Sequence, residues 1–154
     1  MQYWEKEVET MPRPALEKLQ AERLNRTLER ASGAPYYHAL YAGKGGKPPV
    51  ISNIREISEH PFTTKQNLRD HFPYGFLTRP KQEIIRLHSS SGTTGNPTVI
   101  YHNRHDIDSW ANLMARSLFC GGVRDTDVFQ NIVGYGLFTG GLGFQYGIER
   151  LGAL

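Results

Sequence analysis

The spacing of hydrophobic and polar positions along the chain predicts two long helices. Leucines recur on one side of residues 14–31, which Pro14 can open and Gly33 can end. Over residues 104–120, with Asn103 as a possible N-cap, a second apolar set keeps helical spacing. Its members lie at offsets of three, four, seven and eleven: Ile107, Trp110, Ala111, Met114 and Leu118. We interpret both apolar stripes as core-facing.

Shorter elements are predicted between these two helices. Residues 33–61 are rich in glycine and proline, which predicts a loop with one short helix near 34–42. A further short helix should end before Pro73. Thr63 and Gln66 have the spacing of a capping box at its start, in which each side chain bonds the backbone N–H of the other residue.

Two β-prone runs flank a polar loop in the second half of the chain. The first contains Ile84, Ile85 and Leu87, and the second covers residues 98–101. Residues 127–133 read as a buried strand, and the segment from Gly134 is glycine-rich before it becomes helical toward Arg150. The alternation of strands and helices predicts an α/β fold.

The polar loop, residues 88–98, reads HSSSGTTGNPT and concentrates hydroxyl groups and glycines. Glycine lets the backbone adopt positive φ and bring its amides close to an anion, and successive inward amides form an anion-binding nest. The loop is therefore interpreted as a polyphosphate site, with a flexible polar turn as the alternative. It is not a Walker A loop, because only two residues separate Gly92 from Gly95, Asn96 follows, and no helix begins there.

Composition and charge exclude several classes of protein. With 38% hydrophobic and 21% charged residues, the 154-residue chain has the composition of one globular domain. The net charge of +3 comes from basic residues interleaved with acids, so we expect no nucleic-acid partner. No apolar run approaches the length of a membrane span, and Cys120 is the single cysteine, so we expect a cytoplasmic protein without membrane contact or disulfides.

Several long blocks of the chain, in order, resemble the N-terminal part of the phenylacetate–CoA ligase family of adenylate-forming enzymes, which includes the deazaflavin-coenzyme adenylating synthetase. The blocks are YWEKEVETMPRPALEKLQAERLNRTL, PFTTKQNLRDHFPYGF, RLHSSSGTTGNPT and GYGLFTGGLGFQYGIERLGA. The resemblance implies that residues 1–154 form an incomplete N-terminal part of an AMP-binding domain of α/β class. Residues 1–75 would be a mainly helical lead-in and residues 83–154 an α/β part, with the small C-terminal domain absent.

The resemblance also implies an activity and its cofactors. The family uses ATP and Mg²⁺ to convert an aryl acid such as phenylacetate into an acyl-adenylate, which coenzyme A then converts into the thioester. The residues expected to hold the β- and γ-phosphates are Ser90, Ser91, Gly92, Thr93, Thr94 and Gly95. Many family members have lysine where this chain has Asn96, so either Mg²⁺ and the loop amides or another basic residue would have to supply the missing charge.

The glycine-rich block from Gly134 to Gly147 borders the aryl-acid pocket in this family. Candidate pocket residues here are Tyr135, Phe138, Gly140 and Gly141, with ordinary core packing as the alternative for the aromatic ones. Phe144 lies in the helical part of the block, and we interpret it as a core residue.

The histidines do not have the spacing of a metal site. His88 stands where the strand meets the loop, and we expect neighbouring groups to satisfy it. His102 and His105 lie three residues apart without a further strong ligand nearby, so we predict no zinc site. No residue of the chain can be assigned as a catalytic acid, base or nucleophile.

The resemblance implies that the ribose-binding and adenine-binding motifs and the catalytic lysine lie beyond Leu154, so we expect the chain alone to be inactive. Two alternatives to the aryl-acid ligase stay open: a deazaflavin-coenzyme synthetase-like nucleotidyl transferase, and a non-catalytic anion-binding or structural module. Self-association through a surface that the absent half normally covers is also expected.

Overall fold

A computed structural model describes residues 2–90, 97–136 and 139–154 of the chain. It contains six α-helices within these residues: α1 (Lys6–Glu9), α2 (Arg13–Ala31), α3 (Pro35–Leu40), α4 (Lys65–Asp70), α5 (Arg104–Cys120) and α6 (Thr139–Leu151). Three short 3₁₀ turns cover Ala42–Lys44, Ile54–Glu59 and Lys81–Glu83. The strands β1 (Arg86–Ser89) and β2 (Val99–His102) form a two-stranded sheet.

The first long helix agrees with its prediction, because α2 ends at the predicted residue and begins one residue earlier. It is attached to the following loop through Asn25, whose side chain imitates a strand. The Asn25 amide nitrogen donates to the Ile51 carbonyl over 2.8 Å, and its oxygen accepts from the Ile51 N–H over 2.9 Å. These two bonds hold Ile51 in place, and Ile51 is buried, as are Ala21, Ala34 and Tyr41 in this part of the chain.

The capping box predicted for α4 is displaced by one residue. The helix begins at Lys65, so Thr64 rather than Thr63 is the N-cap, and its partner is Asn67 rather than Gln66. Thr64 has extended backbone angles, and its hydroxyl oxygen accepts the Asn67 N–H over 3.2 Å. The Thr63 hydroxyl is instead hydrogen-bonded to the Tyr37 hydroxyl. The sequence pattern could not show which of the two adjacent threonines caps the helix. The contact between Thr63 and Tyr37 of α3 distinguishes them.

A strand lies on either side of the polar loop, as the sequence predicted, and the structure shows that the two pair as an antiparallel hairpin. Leu87 stands opposite Tyr101, and His88 opposite Ile100. The first strand is shorter than its apolar run, because it begins only at Arg86. A 3₁₀ turn at Lys81–Glu83 precedes it, and the backbone first adopts extended angles at Ile84.

The hairpin turns polar side chains toward the helices and leaves apolar side chains on its opposite, more exposed face. Its inner face turns Arg86, His88 and His102 toward α5 and α6, where Arg86 lies over the ring of Tyr146 and the histidines lie beside Trp110. The outer face carries apolar side chains that stay in solvent, with Ile85 46% and Leu87 51% exposed.

Helices α5 and α6 form the main packing contact of the structure. Asn103 caps α5 as predicted, because its side-chain oxygen accepts the Asp106 N–H over 2.9 Å while Asp106 accepts the Asn103 N–H. Glycines allow α6 to approach closely. A Cβ atom at Gly143 would lie 2.7 Å from Trp110 Cζ2, and one at Gly147 would lie 2.8 Å from Met114 Cβ.

The strand predicted over residues 127–133 is wrong. This segment has no strand partner, and Val128 is 78% and Ile132 85% exposed. Two backbone hydrogen bonds join the segment to Leu154: the Phe129 N–H donates to the Leu154 carbonyl, and the Leu154 N–H donates to the Asp127 carbonyl. An apolar, β-branched run becomes a strand only where another strand offers a ladder.

The described elements combine helices with one short sheet, in line with the α/β prediction. Of the described residues, none belongs to a helix that is both long and apolar enough to cross a membrane.

Candidate phosphate-loop site

Hydrogen bonds between Ser90 and Thr98, where the strands run into the polar loop, hold the two ends of the loop together. The Ser90 N–H donates to the Thr98 carbonyl over 3.0 Å, and the Ser90 hydroxyl oxygen accepts the Thr98 N–H over 3.0 Å. A hydroxyl has one donor and two acceptor positions. The Ser90 hydroxyl hydrogen donates to none of the described residues and can be given to a ligand at the mouth of the loop.

Of the predicted phosphate-binding residues, Ser90 is described and occupies the position where β1 meets the loop. The other five predicted residues, Ser91, Gly92, Thr93, Thr94 and Gly95, lie outside the described residues, as does Asn96. Their assignment stays a prediction that rests on the sequence and on the strand–loop–strand frame around them.

A cleft adjoins the loop between the inner face of the hairpin and the side of α5. Its lining combines hydroxyl and imidazole groups with the ring of Trp110 and the side chain of Leu113. The residues with polar side chains in this lining are Thr78, His88, Ser89, Ser90, Thr98, Tyr101, His102, Asp106, Ser109 and Thr139. Such a lining can hold an anionic group against hydroxyl and imidazole donors while an apolar portion of the ligand rests on the aromatic wall.

Two histidines and a tryptophan form the floor of this cleft. The ring centroids of His88 and His102 are 4.7 Å apart, and that of Trp110 is 5.3 Å from His88. Burial, and then the neighbouring His102 and Arg86, lower the pKa of His88. Burial also lowers the pKa of His102, against the opposing effect of Asp106. Both imidazoles are therefore neutral at pH 7.

Neighbouring groups do not satisfy His88 as the sequence predicted. Its Nε2 atom is buried and has no hydrogen-bond partner among the described residues, and the same is true of Arg86 Nη1. The ring of Trp110 packs against the histidine ring, and its indole N–H is a donor that cannot accept a hydrogen bond. Sequence spacing could not reveal this, because it depends on which groups α5 presents to the hairpin.

The glycine-rich block brings together two of the predicted pocket residues. Asn131 donates to the Gly141 carbonyl over 2.9 Å and to the Tyr135 hydroxyl over 3.4 Å, and that hydroxyl donates to Gln145 over 3.0 Å. Gly141 is buried, whereas Tyr135 is 48% exposed. Asn131 was not predicted, because the segment read as a strand.

The remaining predictions for this block have separate outcomes. Gly140 lies half-buried in the first turn of α6, and Phe138 lies outside the described residues. Phe144 stacks on Phe129 with ring centroids 6.2 Å apart, yet it stays 36% exposed, so it lies at the edge of a cluster rather than in the core.

His102 and His105 lie in different surroundings. His102 belongs to the inner face of the hairpin, whereas His105 is exposed on α5. Across residues 2–90, 97–136 and 139–154, no three His, Cys, Asp or Glu residues come close enough to hold a metal ion.

Comparison with known proteins relates the chain to one enzyme family. It is 45% identical over 146 residues to phenylacetate-coenzyme A ligase from Pseudomonas putida, which covers 94% of this chain and 33% of that protein. The ligase of the same name from Escherichia coli (strain K12) is 44% identical over 147 residues, covering 95% of this chain and 34% of that protein. No protein-family model matches the chain. The chain spans about a third of the length of the curated relatives it matches.

Solved structures lead to the same family of folds. An open conformation of 2-hydroxyisobutyryl-CoA ligase, in complex with 2-HIB-AMP and CoA, has a TM-score of 0.86 at 29% identity, over 98% of this chain and 36% of that chain. The same ligase in its postadenylation state with 2-HIB-AMP has a TM-score of 0.79 at 29% identity, over 98% and 33% of the two chains. These similarities confirm the resemblance and the fold class predicted from the sequence.

Proposed function

Because the chain is homologous to phenylacetate–coenzyme A ligases over a third of their length, we propose that it supplies the phosphate-loop region of an aryl-acid–CoA ligase. The ligase would join phenylacetate, or a similar aryl acid, to coenzyme A at the expense of ATP. The geometry of the hairpin supports this proposal. Ser90 and Thr98 are hydrogen-bonded to each other and hold the ends of a glycine- and hydroxyl-rich loop together.

The proposed reaction has two steps. A carboxylate oxygen of the acid attacks the α-phosphorus of ATP, and the bond from that phosphorus to the bridging oxygen breaks, which releases pyrophosphate and leaves an acyl-adenylate. The sulfur of coenzyme A then attacks the acyl carbon, loses its proton, and displaces AMP. Negative charge develops on the departing pyrophosphate, so donors fixed at the loop lower the barrier to the first step.

The residues of the loop would stabilise that departing group. Ser90 would donate its hydroxyl hydrogen, which no described residue accepts, and its five successors would add amides and hydroxyls. Mg²⁺ would be held mainly by the phosphate oxygens, as is usual where a protein provides few carboxylates, and would neutralise part of their charge.

The aryl ring of the acid would lie near the glycine-rich block. Tyr135, held by Asn131 and Gln145, would form one wall. Gly140 and Gly141 lie in the first turn of α6, and a Cβ atom at Gly141 would lie 3.4 Å from Tyr135 Cδ1, so this turn lies beside that wall. Phe138 completes this set of candidates.

The same proposal divides the chain into a lead-in over residues 1–75 and a phosphate-loop part over 83–154. The 154 residues alone would not catalyse the reaction, since they offer no assigned catalytic group. The enzyme would work in the cytoplasm on small molecules rather than on a nucleic acid or a membrane.

A chimera tests this function directly. The chain would replace the matching third of the Escherichia coli ligase, and ATP–pyrophosphate exchange would be measured over a panel of aryl acids. Exchange that depends on phenylacetate supports the proposal, and exchange only with a deazaflavin coenzyme supports the nucleotidyl transferase. A folded chimera that exchanges with no acid would contradict both and leave the binding module.

The loop has its own test in the substitution Gly92→Val. A branched side chain should prevent the close approach of the loop amides, so the chimera should lose detectable ATP binding, as measured by calorimetry. Gly43→Val is the matched control, because a side chain at Gly43 meets no atom within 4 Å. Unchanged ATP binding by the Gly92 variant would refute the role of the loop.

We further propose that copies of the chain associate through the outer face of the hairpin. Ile85 and Leu87 expose about half of their surface there, next to unpaired strand edges. Light scattering across a range of concentrations would test this, and a strictly monomeric profile would contradict it.

A further inference from the structure

The inner face of the hairpin carries two side-chain nitrogens that have no hydrogen-bond partner in the described structure. His88 Nε2 and Arg86 Nη1 are both buried and lack partners among the described residues. Native proteins rarely leave such groups unsatisfied, since burial removes the water that would otherwise bond them. Two of them, two residues apart on one face of a strand, indicate that an acceptor belongs there.

The charges around these donors favour an anion as that acceptor. Arg86 is a permanent cation and stands opposite His102. Asp106, whose charge acts on His102, already accepts the Asn103 N–H over 2.9 Å at the start of α5. An anionic oxygen would balance the charge of Arg86 and supply the acceptor that these two nitrogens lack among the described residues.

The position of His88 shows where such a ligand would lie. His88 lines the cleft together with Ser89 and Ser90, directly before the loop. Its ring packs against both His102 and Trp110, so packing rather than solvent fixes its direction. A neutral imidazole next to Arg86 can donate a hydrogen bond without adding a second repelling charge.

We propose that His88 is an additional anion-binding residue of the phosphate-loop site, and that Arg86 provides the positive charge that Asn96 does not. The Nε2–H of His88 donates to an anionic oxygen of the ligand, which is either a phosphate oxygen or the carboxylate of the acid. His102 and Trp110 act as positioning residues that hold the ring. This inference rests on the proposed function and assigns a new residue to its site.

Nitrogen NMR of the histidine rings tests the proposal on the 154-residue chain itself. The chain, labelled with ¹⁵N, would be titrated separately with inorganic pyrophosphate and with phenylacetate, each to about 10 mM, which detects millimolar dissociation constants. A shift of the His88 Nε2 signal with pyrophosphate assigns the contact to phosphate, and a shift with phenylacetate assigns it to the carboxylate. Absence of a shift with both ligands would overturn the proposal.

Matched variants separate the contact from general effects on folding. His88→Phe keeps a flat ring but removes the donor, and it should weaken binding of the responding ligand about tenfold or more. His88→Gln can still donate and should recover part of that loss. His105→Gln changes an exposed histidine on α5 and should leave the dissociation constant unchanged. Equal affinity in His88→Phe and the parent chain would also overturn the proposal.

Folding and function are controlled independently. An amide spectrum of His88→Phe that overlays on that of the parent chain outside the cleft shows that the variant is folded, and His88→Gln serves if it is not. A chimera that exchanges pyrophosphate while His88 fails to respond contradicts this inference alone. A responding His88 in a chain whose chimera is inactive contradicts the proposed function alone.

Discussion

Helices α5 and α6 bury apolar side chains between them, whereas the β1–β2 hairpin turns polar side chains inward and leaves apolar ones exposed. The helix pair encloses its own core: Ile107, Ala115 and Ile148 are buried, and glycines of α6 fit against α5. The hairpin exposes its apolar Ile85 and Leu87 and turns charged and imidazole side chains inward.

This difference separates a packing element from a binding element. Close contact without polar atoms gives stability, because apolar surface leaves water and no donor is stranded. Buried polar groups without partners lower stability, and they are retained where a ligand can satisfy them. The helix pair therefore acts as the rigid base, and the hairpin presents the candidate site.

The largest expected effect comes from filling the helix contact. In Gly147→Val the new side chain would meet Met114, since a Cβ atom there already lies 2.8 Å from Met114 Cβ. Overpacking of this kind costs about 1–3 kcal/mol. Urea unfolding followed by circular dichroism measures the loss.

Gly136→Val provides the control for that substitution, because a side chain at Gly136 meets no atom within 4 Å. Its free energy of unfolding should stay within about 0.5 kcal/mol of the parent value. Equal losses in both variants would mean that the helix contact is not as close as described.

A smaller effect is expected from the buried histidines of the hairpin. His88 and His102 have a pKa below the ordinary 6.5, so the unfolded chain binds protons there more readily than the folded chain. Their contribution to stability is therefore complete above pH 6.5 and is lost as the pH falls below it. Arg86 strengthens this dependence and Asp106 opposes it at His102.

Urea unfolding at about pH 7.5 and about pH 5.5 measures this dependence. The double variant His88→Phe and His102→Phe should lose less stability between the two values than the parent chain does. His105→Gln should behave as the parent, because His105 is exposed. A double variant with the full pH dependence would show that other groups cause it.

The smallest effect on stability is expected at the outer face of the hairpin. Leu87 is 51% exposed, so Leu87→Thr should change the free energy of unfolding by no more than about 0.5 kcal/mol. The same variant should reduce the proposed self-association, as read by light scattering. A large loss of stability would mean that this face is packed within the monomer.

The sequence by itself determined those elements whose signals are local. The helices α2 and α5 follow from apolar spacing, and the Asn103 cap from the chemistry of its side chain. The strand–loop–strand arrangement and the resemblance to the ligase family were also readable, because the loop residues are contiguous.

Only the tertiary structure decided what depends on a distant partner. Residues 127–133 have the composition of a strand, but within the described residues their cross-chain backbone pairing is two hydrogen bonds with Leu154, which do not amount to a strand ladder. Thr64 replaces Thr63 as a cap because Tyr37 engages Thr63. His88 Nε2 lacks a hydrogen-bond partner among the described residues because α5 places the ring of Trp110 against it instead of an acceptor. Spacing along the chain encodes periodicity, whereas a hydrogen bond requires that two groups meet in space.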